Sequence, residues 1–505
     1  MIFPTPKQMK TIEENSEKNG VSCRELMENA GGALTMLIYK IGQETDISSG
    51  VVFVCGSGNN GGDGFVAARL LAESGANVTV VLACGDPSTE LAAMEYCELS
   101  GVHGVEVLNL NDNIDKVFSK FASAAVIVDC VFGTGFHGFL PPQIKACFSF
   151  AQRSPAIKIA ADVPSGADCL KGTIEEGTLK CDYTVTFGYK KIGMLFEPLA
   201  EYCGEIIVGE IGLPAKAAAG IELLPALFEE KDVTPLFPKR AKNSHKGDFG
   251  KLLNVAGCAN MSGAAALSTK AALRSGAGLV TLASSETVIS RIAAAMPEAM
   301  YVVTDKLDAD SVAKECDGKD AVAVGCGLSV TTETKKLVEK IITDAACTVI
   351  LDADGINCLA DNIDIIRDKK AELIITPHAG ELARLCGTTV EEAVADRLTL
   401  AVNLSREYGV TVVAKGTPTI VVGKGKAYVI PAGNPGLSRG GSGDVLTGII
   451  AAFAAQGLEP VDAAAAGVFV HGAAADLTAE KLSEMGMLPS DVIENLPFVF
   501  KKWNR

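Results

Sequence analysis

Asn434-Pro-Gly-Leu-Ser-Arg-Gly-Gly-Ser-Gly-Asp-Val-Leu-Thr-Gly448 runs directly into the apolar, alanine-rich stretch Ile449–Ala455. Consecutive glycine and serine amides at the start of a helix leave backbone N–H groups free to hold an anion, with the positive end of the helix behind them. Asp444 falls in the first turn. From there a carboxylate can take a proton from a substrate hydroxyl as that hydroxyl attacks a terminal phosphoryl group. As a simple favourable charge at a helix start it would contribute about 0.3–1 kcal/mol, but the length and density of the motif argue for more than that.

Working outward, short Val/Ile-rich runs alternate with Ala/Leu-rich stretches, the pattern of parallel α/β architecture. Strands are expected at Val51–Cys55, Val78–Leu82, Ala125–Val128, Ile157–Ala161, Lys251–Val255, Ala321–Val324, Thr348–Leu351, Leu373–Ile375 and Val410–Ala414. Several of them end in polar groups. Val410–Ala414 delivers Lys415-Gly-Thr-Pro-Thr419, a lysine and hydroxyls suited to phosphate and nucleotide contacts, or a basic hairpin turn. Leu373–Ile375 delivers Thr376-Pro-His378-Ala-Gly-Glu381, where His378 is either a satisfied loop residue or a functional one. Thr348–Leu351 delivers Asp352-Ala-Asp354-Gly355, acids that either assist magnesium through water or cap a turn.

A chain of 505 residues exceeds what one hydrophobic core supports. From 213 to 244 its character changes, with prolines at 214, 225, 235 and 238 and the mixed-charge run Phe228-Glu-Glu-Lys-Asp232. The expected organisation is therefore a first domain over 1–215, a connector over 216–235 carrying a short helix and an edge strand, and a second domain over 236–505. No internal repeat relates the halves. The net charge of −16 excludes a chain that wraps nucleic acid, because no basic stretch could neutralise a row of phosphates. Fifteen scattered cysteines without a Cys-x-x-Cys pair indicate neither a disulfide framework nor a zinc cluster, and fit a reducing cytoplasm. Apolar stretches are interrupted before membrane-spanning length, so no membrane association is expected.

The first domain repeats the theme of loops at strand ends. Val51–Cys55 runs into Gly56-Ser-Gly-Asn59-Asn60-Gly61-Gly62-Asp63-Gly64, a strand-to-helix turn that lets backbone amides approach a phosphate. It also satisfies a dinucleotide fingerprint, but the acid expected after the next strand is poorly placed, with Asp86 several residues beyond Leu82. Val126–Val128 delivers Asp129 and then the loop Gly133-Thr134-Gly135-Phe136-His137-Gly138-Phe139. A third strand ends in Asp162-Val-Pro-Ser165-Gly166. Asn60, Asp129, Asp162 and Ser165 form an all-oxygen set suited to a hard cation or to proton transfer, or else to capping the turns that follow.

Asn-Asn-Gly-Gly-Asp-Gly, the loop from Asp129 to Gly135 and Asp162-Val-Pro-Ser-Gly together resemble the NAD(P)H-hydrate epimerase family over roughly residues 1–215. The resemblance implies a Rossmann-like three-layer domain interconverting the R and S epimers of hydrated NAD(P)H. It implies substrate contacts from Asn59, Asn60, Gly61, Gly62, Asp63, Gly133 to Phe139 and Asp162, with Asp162 as the candidate proton carrier. A potassium ion would be held by Asn60, Asp129 and Ser165.

Over roughly 225–500, Asn243-Ser-His-Lys246-Gly-Asp-Phe-Gly250, Met261-Ser-Gly-Ala264, Arg274-Ser-Gly-Ala-Gly278, Asp352 to Gly355, Thr376 to Glu381 and the Asp444 motif resemble the NAD(P)H-hydrate dehydratase family. The implied domain is ribokinase-like, with ADP and Mg2+ preferred over ATP because the fused organisation looks bacterial or archaeal. Lys415, Gly416, Thr417, Pro418, Thr419 and Gly443 would bind the nucleotide. Ala264, Gly327, His378 and Asp444 would bind the hydrated substrate, with Asp444 as base. The sequence departs from the family at Leu437-Ser-Arg439, usually Met-Ala-Thr, and at Ser442, usually Thr; Arg439 is expected to alter phosphate affinity. The whole chain is thus similar to the fused bifunctional repair family, and a homo-oligomer is expected. The nearest alternative is a vitamin or sugar kinase of the same fold, joined to a Rossmann-like binding domain.

Overall fold

Residues 1–304 and 308–503 are described by the computed structural model, and the chain falls into two units, Met1–Leu224 and Pro225–Arg505. The first unit is built on β1 (Val51–Cys55), β2 (Val78–Leu82), β3 (Val105–Asn109), β4 (Val126–Cys130), β5 (Ile157–Ala161), β6 (Tyr183–Phe187) and β7 (Glu205–Gly209). They pair all-parallel in the order β3-β2-β1-β4-β5-β6-β7. β1, β2 and β4 are buried along their whole length, and strands covered on both faces read as unbroken apolar runs.

Alternation divides their side chains between two cores. Val51, Phe53 and Cys55 pack with residues of helices Cys23–Glu44 and Asn59–Glu73; Val52 and Val54 pack with residues of Ile114–Ser123 and Pro142–Arg153. The expected three-layer α/β domain follows. Strand order reverses between β1 and β4, and loops leaving neighbouring strands in opposite directions open a crevice at their carboxyl ends.

The second unit holds β8 (Pro225–Leu227), β9 (Lys251–Val255), β10 (Leu279–Ser284), β11 (Met300–Val303), β12 (Ala321–Val324), β13 (Thr348–Leu351), β14 (Leu373–Ile375), β15 (Thr411–Ala414), β16 (Thr419–Gly423) and β17 (Lys426–Ile430). Their order is β11-β10-β9-β12-β13-β14-β15-β16-β17-β8. The run from β11 to β15 is parallel, β16 and β17 add an antiparallel hairpin, and β8 closes the edge parallel to β17. Helices Ser442–Ala455, Pro460–Leu482 and Pro489–Lys502 cover one face around Leu252, Ala323, Ile350, Ile374 and Val413. The alternate residues Leu253, Val322, Val349 and Leu351 are buried too, so both faces are covered. Order reverses again, between β9 and β12.

The expected connector is shared between the units. Residues 217 and 222–223 accept hydrogen bonds from Asn15 and Gln8 of the first, whereas β8 and helix Glu230–Val233 belong to the second. Among the described residues, no helix is long and apolar enough to cross a membrane. All fifteen cysteines are free.

Candidate active sites

In the first unit a cavity of about 570 Å³ opens at the β1/β4 reversal. The turn leaving β1 is tight because it carries no side chains: a Cβ on Gly56 would lie 2.0 Å from the Val131 carbonyl oxygen, and one on Gly61 would lie 2.0 Å from that of Gly56. The helix can therefore start at Asn59, turning Asn59, Asn60 and Asp63 into the cavity. Gly133 to Phe136 and Asp162 line the opposite wall. Gly61 and Gly62 lie behind the wall as packing residues, Gly62 against Met27. His137, Gly138 and Phe139 are exposed and outside the lining, with Phe139 83% accessible.

Asp129 and Ser165 are fully buried beneath the cavity. The Asp129 carboxylate accepts from Val131 N (3.1 Å), Ser165 N (2.8 Å) and Ser165 Oγ (2.5 Å). No cationic side chain pairs with it among the described residues, and burial pushes its carboxyl up to about 6 against those hydrogen bonds. Asn60 Nδ2 is buried without a partner.

Asp162 has a different environment. Its backbone is left-handed (φ 66°), a strained state for a residue with a side chain, found where the surroundings over-determine it. Burial alone would raise its carboxyl, but the buried Lys191 ammonium, with Thr134 and Phe187 N as donors, holds it below the usual carboxylate range. Lys191 is itself pinned by Thr186 Oγ1 (3.0 Å) and the Phe187 carbonyl (3.1 Å). Burial, together with the charges of Asp162 and Glu13, drives Asp63 the other way, well above its usual range; Glu13 is raised by burial and Asp162. Glu13 and Lys191 line the cavity but were not among the expected site residues. Lys191 stands four residues past β6, a position that shared the strand-end logic applied to Asp129 and Asp162.

In the second unit a cavity of about 630 Å³ is lined by Lys415 to Thr419, His378, Ile430 to Pro435, Leu437 to Arg439, Ser442, Gly443, Leu446 and His471. Gly441 has φ 100° and caps helix Ser442–Ala455, turning its amides toward this space. Lys415 Nζ lies 2.6 Å from Asp352 Oδ1, which also accepts from Thr376 Oγ1 at 2.7 Å. A Cβ on Gly443 would lie 3.4 Å from Lys415 Nζ and 3.6 Å from Asp352 Oδ2, so Gly443 sits directly over the ion pair. Ala353, at φ 49°, turns the chain between Asp352 and Asp354, and Asp354 accepts from Ser329 N at 2.7 Å.

Asp352 and Asp444 are close and electrostatically opposed. One ligand atom from each, with Cys326 Sγ, lies within a 4.8 Å span. Burial raises Asp352, but Lys415 outweighs it and holds the carboxyl low. Burial and the Asp352 charge push Asp444 up to about 6. Ala264 and Gly327 meet beside this cluster: a Cβ on Gly327 would lie 2.8 Å from that of Ala264, and Cys326 is its chain neighbour. His378 lines the Lys415–Gly443 cavity, its Nδ1 accepting from Gly380 N at 3.0 Å. Arg439 is exposed at the rim, its guanidinium donating to the Met485 carbonyl. Asn243 to Gly250 lies outside the lining of this cavity: Gly250 (φ 81°) lies against the Ala455 carbonyl, where a Cβ would stand at 1.9 Å.

Residues 252–498 match the family described as NAD(P)H-hydrate dehydratase, and residues 23–193 match the family described as YjeF-related protein N-terminus. The bifunctional NAD(P)H-hydrate repair enzyme of Moorella thermoacetica is 34% identical over 487 residues, covering 94% of this chain and 92% of that one. The chain belongs to the bifunctional NAD(P)H-hydrate repair family. The Escherichia coli member is 34% identical over 486 residues, covering 96% of this chain and 90% of its own. A solved structure, the ADP/ATP-dependent NAD(P)H-hydrate dehydratase of Bacillus subtilis co-crystallised with ATP and Mg2+, is 32% identical with a TM-score of 0.50. It covers 56% of this repair-family chain and 100% of its own length, as expected for a counterpart of the second unit alone.

Proposed function

We propose that the first unit epimerises R and S NAD(P)H hydrates and that the second dehydrates the S epimer with ADP as phosphoryl donor. The observation that carries this is the Asp444, Asp352, Lys415 and Gly443 cluster, whose Lys415 and Gly443 line a nucleotide-sized cavity, in a chain of this family.

Hydroxide is a poor leaving group from the hydrated ring. Asp444 takes the proton of the ring hydroxyl as its oxygen attacks the β-phosphorus of ADP, and AMP departs. The ring nitrogen then expels phosphate, and loss of a proton from the adjacent carbon restores the double bond. Lys415 and the amides from Ser442 onward hold the phosphates, while Ala264 and Gly327 leave room for the ring. Asp352 and Asp354 offer hard oxygens and would hold a magnesium ion through water; when bound, it supplies charge neutralisation on the phosphates.

In the first unit, epimerisation needs the hydroxyl-bearing carbon to become planar. Asp63, raised in pKa, rather than the Asp162 expected from sequence, delivers the proton to the departing hydroxyl, which leaves as water; Asp162, fixed as an anion by Lys191, faces the positive charge left on the ring, and water re-adds on the opposite face, returning the proton to Asp63. The buried, cation-free Asp129 with Ser165 and the unpaired Asn60 amide fits a potassium ion, because turning that amide end for end puts an unpaired oxygen there. The bound ion would supply positive charge beneath the loop that holds the substrate phosphates. We place the enzyme in a reducing cytoplasm, as a homo-oligomer.

The test is incubation with mixed R and S hydrates plus ADP or ATP, following recovery of reduced cofactor. Full recovery of both epimers with ADP, releasing AMP and phosphate, is expected. A stable phosphorylated product would instead make the second unit a small-molecule kinase.

A further inference from the structure

Residues 243–250 and 274–278 line neither active-site cavity, yet they are held tightly together. Gly278 N donates to the Phe249 carbonyl (2.9 Å) and Leu279 N to that of Gly250 (3.0 Å). A Cβ on Gly278 would lie 1.8 Å from the Lys246 carbonyl oxygen, so the second segment is seated on the first. The two lead into β9 and β10, parallel neighbours, and so stand at the amino ends of these strands. Asp352 and Lys415 follow the carboxyl ends of β13 and β15 in the same parallel run. A strand length, on the order of 15 Å, lies between the two levels.

At this far end a separate cavity of about 440 Å³ opens. Leu236, Phe237, Phe249, Leu458 and Phe500 supply apolar walls, with the Phe237 and Phe500 rings edge to face at 6.4 Å. Such walls suit a planar ring. The charged groups of the lining are Arg240, Arg274 and Asp248. Asp248 is engaged by His245 N (2.9 Å) and Nδ1 (3.1 Å), and Arg274 by Glu494 (3.0 Å). Arg240 is left over. Its Cζ lies 3.8 Å over the Phe249 ring centroid and its Nη2 donates to the Gly276 carbonyl at 2.6 Å, an approach that a Cβ on Gly276 would block. No carboxylate pairs with it among the described residues, and partial burial pulls its pKa below the ordinary arginine value. Ser275, also in the lining and 4% exposed, has its hydroxyl buried without a partner. Closing the end of a sheet needs the glycines; it needs neither the cavity nor a guanidinium fixed on a ring with donors to spare and no counter-charge.

We propose that this cavity is a ligand site distinct from both active sites and takes a small planar aromatic anion, its ring against Phe237 and Phe500 and its carboxylate or phosphate on Arg240 and Ser275. The site stands whatever reactions the two units carry out. The chain's one tryptophan reports on it: Trp503 packs against Phe237 and Phe500, with ring centroids at 6.3 and 5.9 Å.

Titration of the full-length protein with phenyl phosphate, benzoate, phenol and inorganic phosphate, followed by Trp503 fluorescence, tests this. At least one of the two aryl anions should shift or quench the emission and bind about tenfold more tightly than phenol and than inorganic phosphate; the tighter of the two identifies the oxyanion the site prefers. Arg240→Met keeps an apolar stem on Phe249 and removes the charge, so it should weaken that anion about tenfold while leaving thermal unfolding and dehydratase turnover unchanged. Ser275→Ala should weaken it about two- to tenfold. The proposal is overturned if neither anion moves the Trp503 signal, if phenol binds as well as the anions, or if Arg240→Met binds like the parent protein. A loss of binding in Arg240→Met that comes with a lowered unfolding temperature, marking a general distortion, overturns it too.

Discussion

Asp444 and Asp352 are the same residue type a few ångströms apart, yet one is poised near neutrality and the other held ionised by Lys415. Environments that push two carboxyls apart divide the labour between a base and a fixed charge. Asp444 must be deprotonated to accept the hydroxyl proton, so dehydratase kcat/KM should fall tenfold per pH unit below about 6, roughly two units above where an exposed aspartate would inflect. A pH-rate profile with its acid limb near 4 would contradict this. Asp444→Asn should lower kcat by about 10²- to 10⁴-fold while changing ADP affinity little, measured by single-turnover recovery of cofactor and by titration. In the first unit, Lys191→Met leaves Asp162 buried and unpaired, and should destabilise that unit by about 3–5 kcal/mol in urea unfolding. Asp162 has its native pKa held low, so the pair's contribution is present above the unfolded value and disappears as pH falls through the native one. The residues named from sequence were those in dense motifs. Lys191, Glu13 and His471 escaped because each reaches its site from an otherwise ordinary helix or loop, and a lone charge or histidine carries no signal until the fold places it.

Among elements, legibility followed burial. β1, β2 and β4 announce themselves as apolar runs, whereas β3 and β7 lie at the sheet edges, half exposed, with Glu106 and Glu205 breaking the pattern. β6, Tyr-Thr-Val-Thr-Phe, hides a buried strand behind two threonines; Thr184 satisfies its hydroxyl on the Cys203 carbonyl at 2.7 Å. β10 has a similar disguise in Thr281 and Ser284, both buried. The helix that carries Asp444 is positioned by a crossing rather than by its motif. A Cβ on Gly448 would stand 2.1 Å from the Ser268 carbonyl of helix Ser262–Arg274. Gly448→Ala should push the two helices apart, lower stability by about 1–3 kcal/mol, and reduce dehydratase turnover although it touches no ligand. Thermal unfolding together with the dehydratase assay checks both effects; unchanged turnover would show that the Asp444 helix tolerates displacement.

At the scale of the whole chain, the change in composition between 213 and 244 marked where one unit gives way to the next, but not where either ends. Proline and charge register a break in regular structure, whereas the division at Leu224 is set by which sheet the flanking residues pair with. Because each unit has its own sheet and its own buried clusters, residues 1–224 and 225–505 expressed separately should each fold, the first epimerising without nucleotide and the second consuming only the S hydrate. Circular dichroism and the two assays on the separate halves test this. The edge strand β8 carries a further consequence, for synthesis. Pro225 pairs with Ala427, some two hundred residues downstream. At ribosomal rates of about 5–20 residues per second, the start of the second unit waits on the order of 10–40 s for its partner to emerge, while the first unit can already be complete. The piece of backbone nearest the junction is thus among the earliest made of its unit yet cannot dock until most of that unit's sheet has emerged, and a nascent chain halted before residue 427 should leave it open to protease.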